Sequence, residues 1–169
     1  LSLGECRGDG NETDAMLWRR LDVAGHDACR LVERDDGWRL EGAAAFRHEG
    51  VPACLAYAVD CDREWGTRGG TVHGWLGGCP VDVRVTRTDG TWTLNGRIAP
   101  DLEGCVDLDL GFTPATNLLQ LRRVALQVGH AANVPVAWLD VSGGTLETLH
   151  QRYERRTPEV YWYEAPRFG

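Results

Sequence analysis

From Met16 onward, apolar and polar positions alternate in short blocks: Met16 to Arg20, Cys29 to Arg34, Trp38 to Phe46, Pro52 to Asp60, Thr67 to Leu76 and Val81 to Thr88. None of these blocks sustains a 3.6-residue period. Alternation sends every second side chain to the same face, which predicts strands rather than helices. Between the blocks lie Asp36-Gly37, Glu49-Gly50, Asp89-Gly90 and Asn95-Gly96. Dipeptides of this kind accept the positive φ of type I′ hairpin turns, so the strands are expected to pair mostly antiparallel. Later blocks at Cys105 to Leu110, Leu118 to Val128, Val134 to Val141, Thr145 to Tyr153 and Glu159 to Glu164 extend the pattern; Leu118 to Val128 is read as strand, with a short helix somewhere in 114–126 as the less favoured alternative. A dozen short strands curl rather than stay flat. The expected fold is all-β, a curved antiparallel sheet closing into a roll or partial barrel around an apolar cavity.

One stretch echoes another. Arg34-Asp-Asp-Gly37-Trp38-Arg-Leu40-Glu-Gly42 returns as Arg87-Thr-Asp-Gly90-Thr-Trp92-Thr-Leu94-Asn-Gly96 with one inserted residue. A duplicated β-meander explains the echo, and so does the shared chemistry of any tight hairpin leading into an amphipathic strand.

The segment from Gly104 to Arg123, GCVDLDLGFTPATNLLQLRR, holds the densest chemistry. Val106, Leu108 and Leu110 alternate with Asp107 and Asp109, so on a strand both carboxylates share one face. If the chain resumes as a strand after the Thr113-Pro114 turn, Arg122 and Arg123 point to opposite faces, and at most one of them meets the aspartates. Asp107 and Asp109 suit an acid and base pair or a hard cation, or they are partners of Arg68, Arg122 or Arg123. Calcium and magnesium sites want more oxygen ligands than this spacing offers, which favours ion pairing. The same arginines suit a phosphate or carboxylate head group, because a guanidinium fork matches such anions.

Composition narrows the function classes. The chain has 169 residues and a formal net charge of −7, with no basic run, so the electrostatic footprint of a nucleic-acid binder is missing. Every positive side chain is arginine and Ile98 is the only isoleucine, a pattern of GC-rich codon usage. Without lysine there is no Schiff-base nucleophile and no P-loop lysine. The six cysteines form no CxxC pair and no ligand cluster with histidine, so neither a zinc site nor any other cofactor is expected. Ser2 and Ser142, the two serines, lie in no nucleophile elbow, and no catalytic residue is assigned. No apolar run reaches the ~20 residues that span a bilayer, and no signal-peptide pattern opens the chain, so a cytoplasmic protein with reduced thiols is expected. Residues 1–15, polar and Gly-rich before the only methionine, read as a tag remnant or a disordered extension, leaving 16–169 as one domain. Seven tryptophans are mostly core material, although indoles also line lipid pockets and stack on sugars.

Several elements resemble a bacterial family of unknown function described as putatively glycolipid-binding. Trp65-Gly66-Thr67-Arg68 resembles its Trp-x-Thr-Arg element, and Gly104 to Arg123 its central motif block. Val136-Ala137-Trp138 resembles its Ala-Trp strand, and Gln151-x-Tyr153 with Tyr161-x-Tyr163 its aromatic pair. The chain departs from the family at Gln120-Leu121, where Pro-Ile is usual, and it ends at Gly169 where relatives continue for another hairpin. The resemblance implies non-catalytic binding of a small amphiphilic or glycolipid-like partner. Trp65, Arg68, Asp107, Asp109, Asn117, Arg122, Arg123, Trp138 and Tyr153 are the candidate ligand-binding residues. Two rivals stand beside this reading: a small hydrolase-like enzyme using Asp107 or Asp109, and a structural interaction module whose motif block is an ion-paired core.

Overall fold

The computed structural model describes residues 14–165. Residues 1–13 of the expected tag or extension lie outside the described residues, whereas Asp14 and Ala15 already belong to the first strand.

Eight strands in chain order form one continuous antiparallel meander: β1 (Asp14–Arg19), β2 (Gly25–Arg34), β3 (Gly37–His48), β4 (Val51–Cys61), β5 (Thr67–Leu76), β6 (Cys79–Thr88), β7 (Thr91–Leu94) and β8 (Arg97–Ile98). Its tight turns have the predicted chemistry. Glu49, Asp89 and Asn95 take φ of 47°, 50° and 50°, each followed by a glycine of positive φ. At the β2–β3 hairpin the turn residues are Asp35 and Asp36 rather than Asp36-Gly37, and Gly37 already pairs with Arg34. Gly37 is needed for a different reason: at φ 155°, a Cβ here would sit 2.0 Å from the Cys61 carbonyl oxygen of β4. The echoed segments occupy the β2–β3 and β6–β7 hairpins, four strands apart in the same sheet.

A second sheet orders β12 (Tyr161–Glu164), β11 (Thr145–Arg155), β10 (Ala131–Asp140) and β9 (Asp107–Leu110). Three of these strands pair antiparallel, but β9 runs parallel to β10. A parallel pair needs a crossover connection, and this one carries α1 (Asn117–Val124). The strand expected over Leu118 to Val128 is therefore a helix. Pro114 sits just ahead of it, where a fixed φ suits helix entry, and Leu, Gln and Arg are good helix formers. Ala125 ends it in the left-handed region at φ 45°, its N–H returning to the Leu121 carbonyl.

One core serves both sheets. Leu40, Leu55, Val59, Val72 and Trp92 of the meander pack with Leu108, Leu110, Leu119, Ala137 and Leu139. Residues 137 and 139 of β10 face this core, so by alternation 134, 136 and 138 face away. The ladder aligns Asp107 with Val136 and Asp109 with Trp138 on that second face. A smaller cluster covers it, including Val134, Val136, Leu149 and Tyr153 with Leu121 and Val124 of α1. The fold is thus mostly β with two open, curved sheets, and its parallel corner carries the helix. Among the described residues no helix is long and apolar enough to cross a membrane, and no group of three His, Cys, Asp or Glu side chains can hold a metal ion.

Candidate functional site

The two motif aspartates share a face as alternation requires, but neither is solvated. Asp107 is 0% exposed and Asp109 5%. What separates them is the helix lying across β9. At ~100° per residue, position 123 projects between positions 119 and 120, which point into the fold, while 122 projects outward. Accordingly Arg123 grips Asp107 as a fork, Nε donating to Oδ1 at 2.9 Å and Nη2 to Oδ2 at 2.6 Å. Arg122 goes to the surface, 5.8 Å from the Trp65 ring and 4.0 Å from the Asp14 carboxylate. One arginine does meet the aspartates, but helical periodicity rather than strand alternation selects it.

Asp109 receives no cation among the described residues. Gln151 Nε2 donates to its Oδ2 at 2.5 Å and Gln120 Nε2 approaches the same oxygen at 3.5 Å. The Tyr153 hydroxyl donates to Gln151 Oε1 at 3.0 Å and also to Gln120 Oε1. These three side chains are buried and neutral. They orient the carboxylate without balancing its charge, and burial, with the nearby Asp107 charge adding to it, pushes the Asp109 carboxyl up to about 6. Burial also raises the Tyr153 phenol.

Asp109 lines a cleft of about 310 Å³ at the carboxyl end of β9, together with Thr113, Asn117, Trp138, Leu149 and Tyr163. A second cleft, of about 260 Å³, adjoins it; Phe46, Leu55, Leu76, Leu139 and Val141 line it together with His48, Asp140 and Ser142. Arg20, Gly111, Phe112 and Trp138 border both. The indole lies so close to the backbone that a Cβ on residue 111 would stand 2.5 Å from Nε1, which is why a glycine is found there. Each cleft is near the low end of the ~300–1,000 Å³ typical of ligand sites.

Packed side chains of one core fill the space behind much of the meander, and these two clefts are the ones that meet at Gly111, Phe112 and Trp138. Of the candidate residues, Asp109, Asn117 and Trp138 converge on the clefts, and Tyr153 supports Asp109 from behind. The others do not come together there, a correction to the single head-group cluster inferred from the motif block. Asp107 and Arg123 satisfy one another. Arg68 reaches Asp36 at the β2–β3 turn, and Trp65, at φ 70°, stacks on Trp38 with centroids 4.4 Å apart. Trp38 and Phe46 mark opposite ends of β3, separated by eight strand residues or ~26 Å. The start of β5 nevertheless lies against β9, with the Leu108 N–H donating to Thr67 Oγ1 at 3.0 Å, and the Arg68 side chain turns from there to Asp36.

Two contributors, Arg20 and Asp27, had no motif to announce them, and Gln120 and Gln151 lie in motif elements without being singled out as site residues. Arg20, in the β1–β2 connection, donates through Nε and Nη2 to Asp22 at 3.0 and 2.6 Å and through Nη1 to the Phe112 carbonyl at 3.3 Å, with Cζ 5.0 Å from the Phe46 ring centre. Its hydrogen bond holds the Asp22 carboxyl down at about 2. Asp27 of β2 is buried behind the cleft-lining Thr113, whose hydroxyl donates to it, as does that of Tyr57 at 3.0 Å. Burial raises the Asp27 carboxyl, and again no cation faces it among the described residues. Gln120 and Gln151 complete the set. The five described cysteines, Cys29, Cys54, Cys61, Cys79 and Cys105, are free thiols.

Comparison with known proteins agrees with the resemblance in the motifs. A family model described as putative glycolipid-binding matches residues 15–169. The chain is also similar to the crystal structure of a DUF1089-family protein from Pseudomonas aeruginosa, with TM-score 0.72 and 26% identity over 94% of this chain and 85% of that one. No curated protein matches it.

Proposed function

The chain belongs to the putative glycolipid-binding family, and from that premise we propose that residues 16–169 form a non-catalytic binding domain for an amphiphile, with a glycolipid as the favoured class. The single observation that carries this reading is the pair of adjoining clefts around Gly111, Phe112 and Trp138. The first sets Phe46, Leu55, Leu76, Leu139 and Val141 beside His48, Asp140 and Ser142 at its rim, and the other offers Asp109, Thr113 and Asn117 beside Leu110, Pro114 and Leu149. An apolar chain in the first removes methylenes from water, worth ~0.8 kcal/mol for each one buried. A polar head in the second finds fixed donors and acceptors. Trp138 belongs to both halves, apolar in its ring and polar at its N–H.

Native mass spectrometry of protein purified from its own host, without detergent, should reveal a copurifying species released by organic solvent. The stripped protein should take up decyl glucoside. Trp138→Ala should weaken that uptake at least tenfold while the domain keeps its far-UV signature. Absence of both an adduct and measurable uptake by the wild-type chain would remove the binding reading.

A second reading rests on Asp109 alone. A buried carboxyl with a pKa near 6 lies in the range that general acids use. A two-carboxylate mechanism cannot draw on Asp107, which is already neutralised by Arg123. Turnover of aryl glycosides or esters that disappears in Asp109→Asn would favour this reading over binding.

A further inference from the structure

We propose that the polar cleft selects a neutral, hydroxyl-rich head group, a sugar or similar polyol, and rejects anionic heads, with Asp109 as the specificity-determining acceptor. The inference rests on the amphiphile-binding reading and sharpens it. It also reverses the charge logic of an arginine clamp.

Arg20 is the only cationic side chain lining the polar cleft among the described residues, and all three of its guanidinium nitrogens are engaged, two with Asp22 and one with the Phe112 carbonyl. Three of its five N–H groups are used in this way, so an anion must share the guanidinium with a carboxylate already held in a fork. Facing the same space is Asp109, 5% exposed, with both of its amide donors on Oδ2. Oδ1 takes no hydrogen bond from the described residues. A second buried carboxylate, Asp27, stands behind Thr113 without a cation. Among the described residues, the wall that meets the head group therefore offers the Asp109 acceptor and one arginine whose charge is already shared with Asp22.

Such a wall discriminates in two ways. A ligand hydroxyl can donate to Asp109, forming a charge-assisted bond that is roughly twice as strong as a neutral one. A phosphate, sulfate or carboxylate offers that oxygen no donor once ionised and brings like charge into a site of low dielectric. Stability points the same way. A buried carboxylate held by neutral amides opposes folding at neutral pH, and a side chain that costs stability at the rim of a cleft is better explained by a ligand than by the fold. Asn117 adds one donor and one acceptor to the same wall, suited to a second hydroxyl.

Three C10 amphiphiles below their micellar concentrations provide the test: decyl glucoside, decyl sulfate and a decyl ethylene-glycol ether, titrated calorimetrically at pH 7.5 into the delipidated full chain. The wild type is expected to bind the glucoside ~10- to 100-fold more tightly than either other probe, the range that one charge-assisted bond supplies. Asp109→Asn should lose about tenfold on the glucoside, leave the ether unchanged, and narrow the gap between glucoside and sulfate. Thermal melts of the variant exclude unfolding as the cause. Equal affinities for all three probes, or a preference for the sulfate, would overturn the head-group assignment while leaving amphiphile binding in place. Failure of every probe to bind would instead overturn the binding reading itself.

Discussion

Asp107 and Asp109 are two residues apart on one face of β9, both out of solvent, and the fold treats them in opposite ways. At Asp107 a carboxylate meets a guanidinium fork from α1, and the pair is closed. At Asp109 the same helix, three residues earlier, presents Gln120 instead, and β11 adds Gln151, so the charge is oriented but not cancelled. One region is built as a structural clasp between helix and sheet. The other leaves an acceptor facing a cleft beside Trp138. Equal sequence context has given two different electrostatic environments, because each is decided by the residue that the helix delivers above it.

The largest effect should come from opening the clasp. Arg123→Ala leaves a fully buried carboxylate without its partner and should cost about 3–5 kcal/mol in urea denaturation at pH 7. A loss no greater than that of Arg122→Ala would abolish the distinction between the two regions.

The next effect has the opposite sign. Burial raises the Asp109 carboxyl from 3.8 to about 6 in the folded state, with Asp107, Tyr153 and Tyr163 as the titratable groups facing it and Arg20 across the cleft. Between those two values the folded protein binds more protons than the unfolded chain, so this contribution to stability falls as pH rises and the penalty is complete above about pH 6. Asp109→Asn should therefore stabilise the domain at pH 7.5, by at most about 3 kcal/mol, with the gain shrinking to nothing below about pH 4. A variant that is less stable than wild type at pH 7.5 would mean that Asp109, like Asp107, is a structural partner.

The smallest effect belongs to the neighbouring arginine. Arg122 is half in solvent, and its contacts are a 4.0 Å approach to Asp14 and the Trp65 ring. Arg122→Ala should change stability by less than about 1 kcal/mol and leave glucoside binding untouched. A larger change would show that the Trp38–Trp65 end of the fold is coupled to the cleft.

How much of this was legible beforehand follows from the range of each interaction. The meander was readable because alternation and turn chemistry are local; β5 has the limits that its pattern predicted, Thr67–Leu76. The helix, which falls inside the less favoured 114–126 alternative, ranks below a strand in the sequence because Leu118, Leu119 and Leu121 show no clean period over so short a segment, and because its necessity comes from the parallel pairing of β9 with β10, a long-range fact. Its signals were present in weaker form, with Pro114 ahead of a run of good helix formers and two arginines in its last turn. Asp109, Asn117 and Trp138 were candidates supplied by the motif block and the family resemblance, and Phe112 and Gln151 lie in the same elements without a charge to single them out. Arg20 reaches the cleft from the β1–β2 connection, which has no motif.

The sequence by itself determined an all-β chain, its hairpins, the common face of the two aspartates and the family to which the chain belongs, because these depend on period, turn residues and contiguous motifs. Only the tertiary structure decided which arginine pairs with which carboxylate, which residues line the clefts beside Asp109, and that Arg68 turns to Asp36 while Trp65 stacks on Trp38. Those outcomes depend on how α1 crosses β9 and on which loops the curvature of two sheets brings together, and charge compensation in a buried site is fixed by distances of a few ångströms that no one-dimensional pattern records.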